Sequence, residues 1–520
     1  MSVPARRRRR VIPSWQLSAW SVAIVVIVAA GSALLGLRSR DAISRLPPLP
    51  VLAGHPAPLV THLEQADARA RRSPRNADII GALGMAYHAD LFYGQAVIAY
   101  ELAADLDPSD RRWPYYLALV HMERSELVRA THALTAVVTL HADDGLAWWR
   151  LGEAAFKQAD YAAADAAYGR AESTASAAND QSDIAAYARV GRARVALNLV
   201  DTKTAVDILT KQLESTPRFG VAHRVLAEAY RAEGREADAD RQARLGAALR
   251  AYAGPADPLV NALADISRSS VFLLRFAASH DLTRDAVRRE QLVRRALESD
   301  ADNPDVVYEV GALLQQLRRP ADALPYFTRH LEMVSDDQQT LVQIAKCQID
   351  LGRVAEAEAT LRKALSLGDD AVGFHNLGVV LERQNRLPEA EASYRRAVAL
   401  GPGLAGARNN LAVLMAAQSR LDEAALYLRE SIRLSPAEAD AYGNLSAVRF
   451  QQGAVADAAH LARLAIDLEP RHADAHANLG VALARLGDLD AAQRELQAAL
   501  AIDPRHVNAR RNLDALNRRE

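Results

Sequence analysis

The sequence predicts an all-α protein: a solenoid of stacked helix-turn-helix units, preceded by one N-terminal transmembrane helix. Three observations carry that expectation. Pro402, Pro436, Pro470 and Pro504 recur every 34 residues, a period at which one helical hairpin repeats itself. Half of the 520 residues are hydrophobic but only 5% are aromatic, a mixture suited to helices that approach closely through small side chains. From Leu17 to Leu37 the chain is almost wholly apolar, about the ~20 residues that a helix needs to cross a bilayer.

Residues 1–13 form a basic tail. Arg6 to Arg10 are consecutive, and residues 1–45 carry eight Arg against Asp41 alone. The formal net charge of the whole chain is −1, so the rest of it carries about −8. A body of that sign repels phosphate backbones, which argues against nucleic acid as a partner. Residues 14–37 read as the membrane span, with Trp15 and Trp20 near its start and Arg38 and Arg40 beyond its end. The excess of Arg before the span places the N-terminus in the cytoplasm and the body outside it. The same stretch also reads as a cleaved signal peptide, because Gly31-Ser32-Ala33 offers small residues to a peptidase. Residues 38–58 hold Pro47, Pro48, Pro50, Pro56 and Pro58, which cannot propagate a helix and predict an extended spacer lifting the body off the membrane.

The repeats follow. In Ala473 to His506, Leu479 and Gly480 stand at positions seven and eight, Leu483 at eleven and Gly487 at fifteen. Ala492 stands at twenty, Leu496 at twenty-four, Ala499 at twenty-seven and Pro504 at thirty-two. Small residues at eight and twenty let two antiparallel helices close up, bulky ones fill the seam, and the proline ends the second helix. The register runs back through units beginning at Ala439, Ala405, Ala371, Gln338, Pro304 and Ser270, giving a C-terminal array over 270–506. Residues 507–520 predict a capping helix through Leu513 and Leu516. Residues 59–253 predict a looser N-terminal array, a capping helix followed by about five repeats, with matches at Leu83, Gly84, Tyr100, Trp148, Gly152 and Tyr168. Gly254-Pro255-Ala256-Asp257-Pro258 breaks the pattern, so residues 254–269 read as a joint.

This unit resembles the tetratricopeptide repeat. The resemblance implies an α-solenoid superhelix whose concave groove is lined by positions two, six, nine and thirteen of the first helices. Position six is the distinctive one, since it is Asn376, Asn410, Asn444, Asn478 and Asn512 in five consecutive units, preceded by the amide Gln343. A carboxamide both donates and accepts, so a ladder of them suits the backbone of an extended peptide. The ladder is similar to the one in the repeat domain of O-linked N-acetylglucosamine transferases, where the equivalent amides bind substrate peptide; no catalytic domain of that kind follows here. Asn at six also bonds between neighbouring helices, so a structural role stands beside the binding one. At ~0.5 to 1.5 kcal/mol per hydrogen bond, less the cost of ordering a peptide, binding in the micromolar range or weaker is expected.

Nothing in the sequence reads as an active site. The short signatures of zinc peptidases, P-loop enzymes, dinucleotide binders and hydrolases are absent, and no cofactor is implied. Cys347 is the only cysteine, which excludes disulfides within the chain and multi-cysteine zinc sites, and inside a helix it reads as a buried, inert thiol. His472, Asp474 and His476 suggest a metal cluster only weakly, and no metal is expected. Glu356 with Glu358, and Glu389 with Glu391, read as a solvated outer face. The groove lacks the clustered Lys and Arg of a carboxylate clamp, apart from Arg511. The expectation is a non-enzymatic adaptor tethered to a bacterial inner membrane, its body periplasmic, whose C-terminal array holds an extended peptide segment of a protein partner. The alternatives are a structural subunit or assembly factor of an envelope complex and, further off, the specificity half of a two-chain transferase. The partner's identity and the oligomeric state are not legible.

Overall fold

The computed structural model describes residues 42–177, 183–249, 254–279 and 286–518, and among these there are helices and turns but no strand. The expected span at 14–37 lies outside the described residues. No helix among the described residues is long and apolar enough to cross a membrane.

Local sequence starts and stops each helix. Asn76, Asp144, Asp201, Asp337 and Asp370 accept a main-chain N–H from the first turn of the helix that each precedes, satisfying a donor that has no partner within the helix. Pro258, Pro304 and Pro320 open helices, where the missing N–H costs nothing. The turn inside each hairpin takes a left-handed residue. It is glycine at Gly234, Gly352, Gly453 and Gly487, but Leu91, Ser125, Ala159, Val200, Arg318, Asn385 and Ser419 elsewhere. At Val200 (φ 64°) a β-branched side chain adopts this conformation while 83% exposed, a strained arrangement that only glycine accepts freely.

Within a hairpin the seam is set by position eight. A β-carbon on Gly378 would stand 2.5 Å from the Tyr394 ring, and one on Gly84 or Gly152 would stand 2.7 or 2.6 Å from Tyr100 or Tyr168. The glycine therefore lets the aromatic residue at twenty-four lie flat against the first helix, fully buried in all three cases. Leucine fills the same place in the last hairpin, where Leu496 lies over Gly480.

The chain divides into two compact units. One comprises the described residues up to 143 together with 257–272; the other comprises 144–256 and 273 onward. In the first, helix Ala57–Arg72 packs on Ala77–Ala89, which pairs with Tyr93–Leu106 and is followed by the pair Arg112–Glu123 and Leu127–Leu140. The proline-rich stretch before them is non-helical, but it does not stand clear of the body. Leu46 is buried, Arg71 Nη2 donates to the Pro47 carbonyl at 3.4 Å, and Arg45 pairs with Asp105 at 2.5 Å. The joint, residues 254–269, is not without regular structure. It contains a helix, Pro258–Ile266, and this packs on Ala77–Ala89.

In the second unit, helical pairs run from Gly145 to Ala248 and from Pro304 to Ile502, and Val507–Asn517 closes the series. Leu513 and Leu516 of that last helix pack against Ala477, Leu496 and Ala499, as a capping helix requires. Helix Glu236–Ala248 also packs on Val455–Leu468, so repeats far apart in sequence touch within this unit.

Candidate functional site: an amide ladder and a filled groove

Helix geometry puts position six on the exposed stripe beside the seam. The ladder amides are half-buried there, except Asn376, which is 8% exposed. Each bond reaches back to position five of the preceding repeat. Asn478 Nδ2 donates to the Gly443 carbonyl at 3.0 Å, and Asn444 Nδ2 donates to Asn409 Oδ1 at 3.0 Å. Asn410 Nδ2 lies 3.1 Å from His375 Nε2, and Gln343 Nε2 lies 3.5 Å from the Tyr308 hydroxyl. At Asn376 position five of the preceding repeat is Val342, and Asn376 Nδ2 is buried with no partner. Asn512 is half-buried on the last helix. One N–H of each bonded amide thus ties repeat to repeat; Asn410 Oδ1 also accepts from Asn409 Nδ2 at 3.4 Å and Gln343 Oε1 is buried, which leaves the second N–H and the oxygen of Asn444 and Asn478 for other contacts.

Between helices Ala371–Arg383 and Ala439–Gln451 lies a hollow of about 480 Å³, open to solvent. Asn409, Asn410 and Asn444 line it, with Val379 and Val413 giving an apolar floor and Glu382, Arg383 and Asp440 giving charge. All three charged groups are already engaged, Asp440 through His472 Nε2 at 3.0 Å. Glu382 accepts from the Tyr394 hydroxyl at 2.7 Å, and Arg383 donates to the Ile349 carbonyl at 2.7 Å. The residues lining it bring together no acid–base pair or activated nucleophile of the kind that catalysis requires.

The other residues singled out from the sequence fall elsewhere. His472, Asp474 and His476 do not converge. His472 Nδ1 accepts from Ala475 N–H, His506 Nε2 donates to Asp474, and His476 lies between Glu495 and the Pro470 carbonyl. Among the described residues no group of three or more His, Cys, Asp or Glu is arranged to hold a metal. Cys347 is buried, and burial pushes its thiol up to about 11, away from reactive thiolate. Glu358 and Glu391 are more than a solvated face. Glu358 accepts from Gln384, Arg362 and Arg386, and Glu391 from Arg420, Arg395 and Gln418, which hold both carboxyls down at about 2. Gln384, Arg386, Gln418 and Arg420 belong to the following repeat, so these networks tie neighbours together on the outer side.

Sequence reasoning missed a second groove, in the first unit, and what fills it. Tyr116, at position six of its repeat, donates its hydroxyl to the Leu259 carbonyl at 3.1 Å. Tyr115 donates to Asp257 at 2.6 Å, and the Asp257 carboxylate also caps its own helix through Leu259 and Val260 N–H. At the other end, buried Asp90 accepts from the main-chain N–H of Arg268 at 2.7 Å and of Ser269 at 3.0 Å, while Ser267 Oγ donates to the Ala89 carbonyl at 2.9 Å. Tyr100 stacks on Tyr116 at 5.4 Å beneath this segment.

Stacked hairpins with a lined stripe along their first helices define a repeat scaffold of the protein-interaction class. Residues 311–468, in four overlapping matches, and residues 473–506 match models of the tetratricopeptide repeat, so the chain carries tetratricopeptide repeats over that part of its length. No curated protein matches the chain in sequence. Among solved structures, it is similar to YrrB, described as a TPR protein with an unusual peptide-binding site: 22% identity, 36% of this chain and 96% of that one, TM-score 0.30. It is also similar to yeast Tom70, at 14% identity over 85% of this chain and 96% of that one, TM-score 0.38. A third is pilF of Pseudomonas aeruginosa, at 17% identity over 42% and 98%, TM-score 0.37. Scores and identities this low carry nothing about function.

Proposed function

We propose that this protein is a non-enzymatic, membrane-tethered adaptor whose C-terminal repeats hold an extended segment of a partner protein along the amide ladder. The observation that carries the reading is the hollow at Asn409, Asn410 and Asn444, where amides with unused hydrogen-bonding capacity stand over an apolar floor. The first unit supplies a precedent: there, position six already holds a main-chain carbonyl of a segment lying against the first helices. Residues 14–37 would be the tether, with the N-terminus cytoplasmic and the repeats on the periplasmic side of a bacterial inner membrane.

The test is affinity purification of the full-length protein from its own membranes, beside a variant with Asn410, Asn444 and Asn478 all changed to Ala. Loss of one partner from the variant, with the fold intact, is the expected result; retention of every partner would refute a binding ladder. A second reading, a permanent subunit or assembly factor of an envelope complex, draws on the ladder's bonds to preceding repeats, which give these amides a structural task. It predicts stoichiometric partners that survive detergent and high salt in both proteins.

A further inference from the structure

We propose that the first unit is a second segment-recognition site, filled in cis by residues 257–269, from which an outside segment of the same chemistry displaces them. The ligand it takes is a short helix opened by an aspartate–proline pair and closed by a serine turn that presents two main-chain N–H groups.

Both ends of the segment are gripped by side chains that read main chain or a helix cap rather than an apolar surface. Asp90, whose carboxylate is fully buried, takes the two consecutive N–H groups of Arg268 and Ser269 on Oδ1, and its Oδ2 lies 3.0 Å from His62 Nδ1. Tyr115 and Tyr116 fix the other end, one through the capping carboxylate of Asp257 and one through the Leu259 carbonyl. Bonds to charged groups of this kind are the stronger class, and they set the direction and length of the helix that fits. Asp257 to Ser267 is the span they measure.

The apolar contribution is small by comparison. Within helix Pro258–Ile266 only Leu263 and Ala264 are fully buried. Beneath it lie the first helices of two hairpins, Ala77–Ala89 and Arg112–Glu123. Tyr100 lies over Gly84 in the first, and Trp113, Tyr115 and Tyr116 sit on the first helix of the second. The segment is laid onto these two helices, 142 to 179 residues along the chain from the groups that hold it. It meets the second of these hairpins through position six, Tyr116. A segment that buries two apolar side chains of its helix and is held at both ends by side chains that read its main chain and its cap has the arrangement of a ligand in its site.

The test uses the full-length chain and a fluorescein-labelled synthetic peptide with the sequence of residues 257–272. In the wild-type protein the site is full, and uptake of the labelled peptide is weak. Asp257→Ala with Ser267→Ala weakens the resident segment without touching the receiving side chains; this variant takes up the peptide at least tenfold more tightly, and adding Asp90→Ala abolishes the gain. A double variant that keeps its native near-ultraviolet circular dichroism but binds no better than wild type overturns the proposal. So does dimerisation of that variant without peptide uptake, which would assign the site to a second copy of the chain. Should the double variant fail to fold, hydrogen exchange in the wild-type protein decides. The proposal expects the Arg268 and Ser269 amides to exchange at least tenfold faster than those of helix Ala77–Ala89; equal rates would make the segment part of the core and overturn it.

Discussion

The first unit and the ladder repeats of the second present the same position of the same repeat to the same kind of face, yet one face is occupied and the other is open. At position six the first unit has Tyr116, stacked on Tyr100 and bonded to a carbonyl of its own chain. The ladder repeats have amides that bond one repeat back and line an open hollow. Repeat geometry thus fixes where a recognition residue points, while its side chain and its position-five neighbour decide what it holds. Asn376 shows how local this is, since Val342 at position five leaves its buried Nδ2 with nothing to donate to.

The largest expected effect separates the two regions. Asp90→Ala removes the acceptor of two buried main-chain N–H groups, at about 1–3 kcal/mol each, so chemical denaturation should show the first unit losing about 3 kcal/mol. Asn444→Ala in the second unit, which removes one bond between half-buried amides, should cost about 1 kcal/mol.

Next come the glycines of the second unit. Gly378→Ala drives a β-carbon to 2.5 Å from the buried Tyr394 ring, and overpacking of that kind costs about 1–3 kcal/mol. Gly406→Ala meets only His375 at 3.5 Å and should stabilise its helix by about 0.5–1 kcal/mol. Equal effects from the two would contradict the seam as described. Asn376→Leu removes a buried donor that has no partner, so its cost should stay within about 1 kcal/mol or become a gain. A loss as large as that of a well-paired buried amide would mean Asn376 has a partner in solution.

The smallest effect is pH-dependent. Glu358 and Glu391 sit at about 2, held there by amide and guanidinium donors of their own and the following repeat, below an ordinary carboxylate value of about 4.3. Their contribution is therefore present above about pH 4.3 and is lost as pH falls through about 2. These are half-buried surface pairs, still screened by solvent and worth about 1 kcal/mol or less each. Glu358→Gln with Glu391→Gln should lower stability slightly at neutral pH, and the gap to wild type should close on acidification. A gap that widens toward low pH would reverse the sign of the account.

How much of this was legible follows from repetition. Position eight glycine, position six amide and position thirty-two proline recur, so a single chain supplies its own comparison, and the solenoid and the ladder could be read from spacing. The partners of the ladder could not, because position five changes from Tyr308 to Val342, His375, Asn409 and Gly443. The joint was the larger omission. Asp257-Pro258 carries a helix-opening signature, an N-cap followed by a proline at the first helical position, but it lies among breakers and occurs once. Its docking depends on Asp90 meeting Arg268, 178 residues away, which no local pattern encodes. The ties made by Glu358 and Glu391 were visible as acids on an outer helix, but their partners came into view only once neighbouring repeats were stacked.

The central claim is that the two faces do different work, one open to partners and one filled by the chain. The most direct test is to screen one peptide library against three full-length proteins: wild type, the Asn410→Ala, Asn444→Ala, Asn478→Ala variant, and Tyr116→Phe. The account predicts that peptides captured by wild type lose at least tenfold in affinity for the triple variant and keep it for Tyr116→Phe. Capture unchanged in the folded triple variant, or lost in Tyr116→Phe, would contradict it.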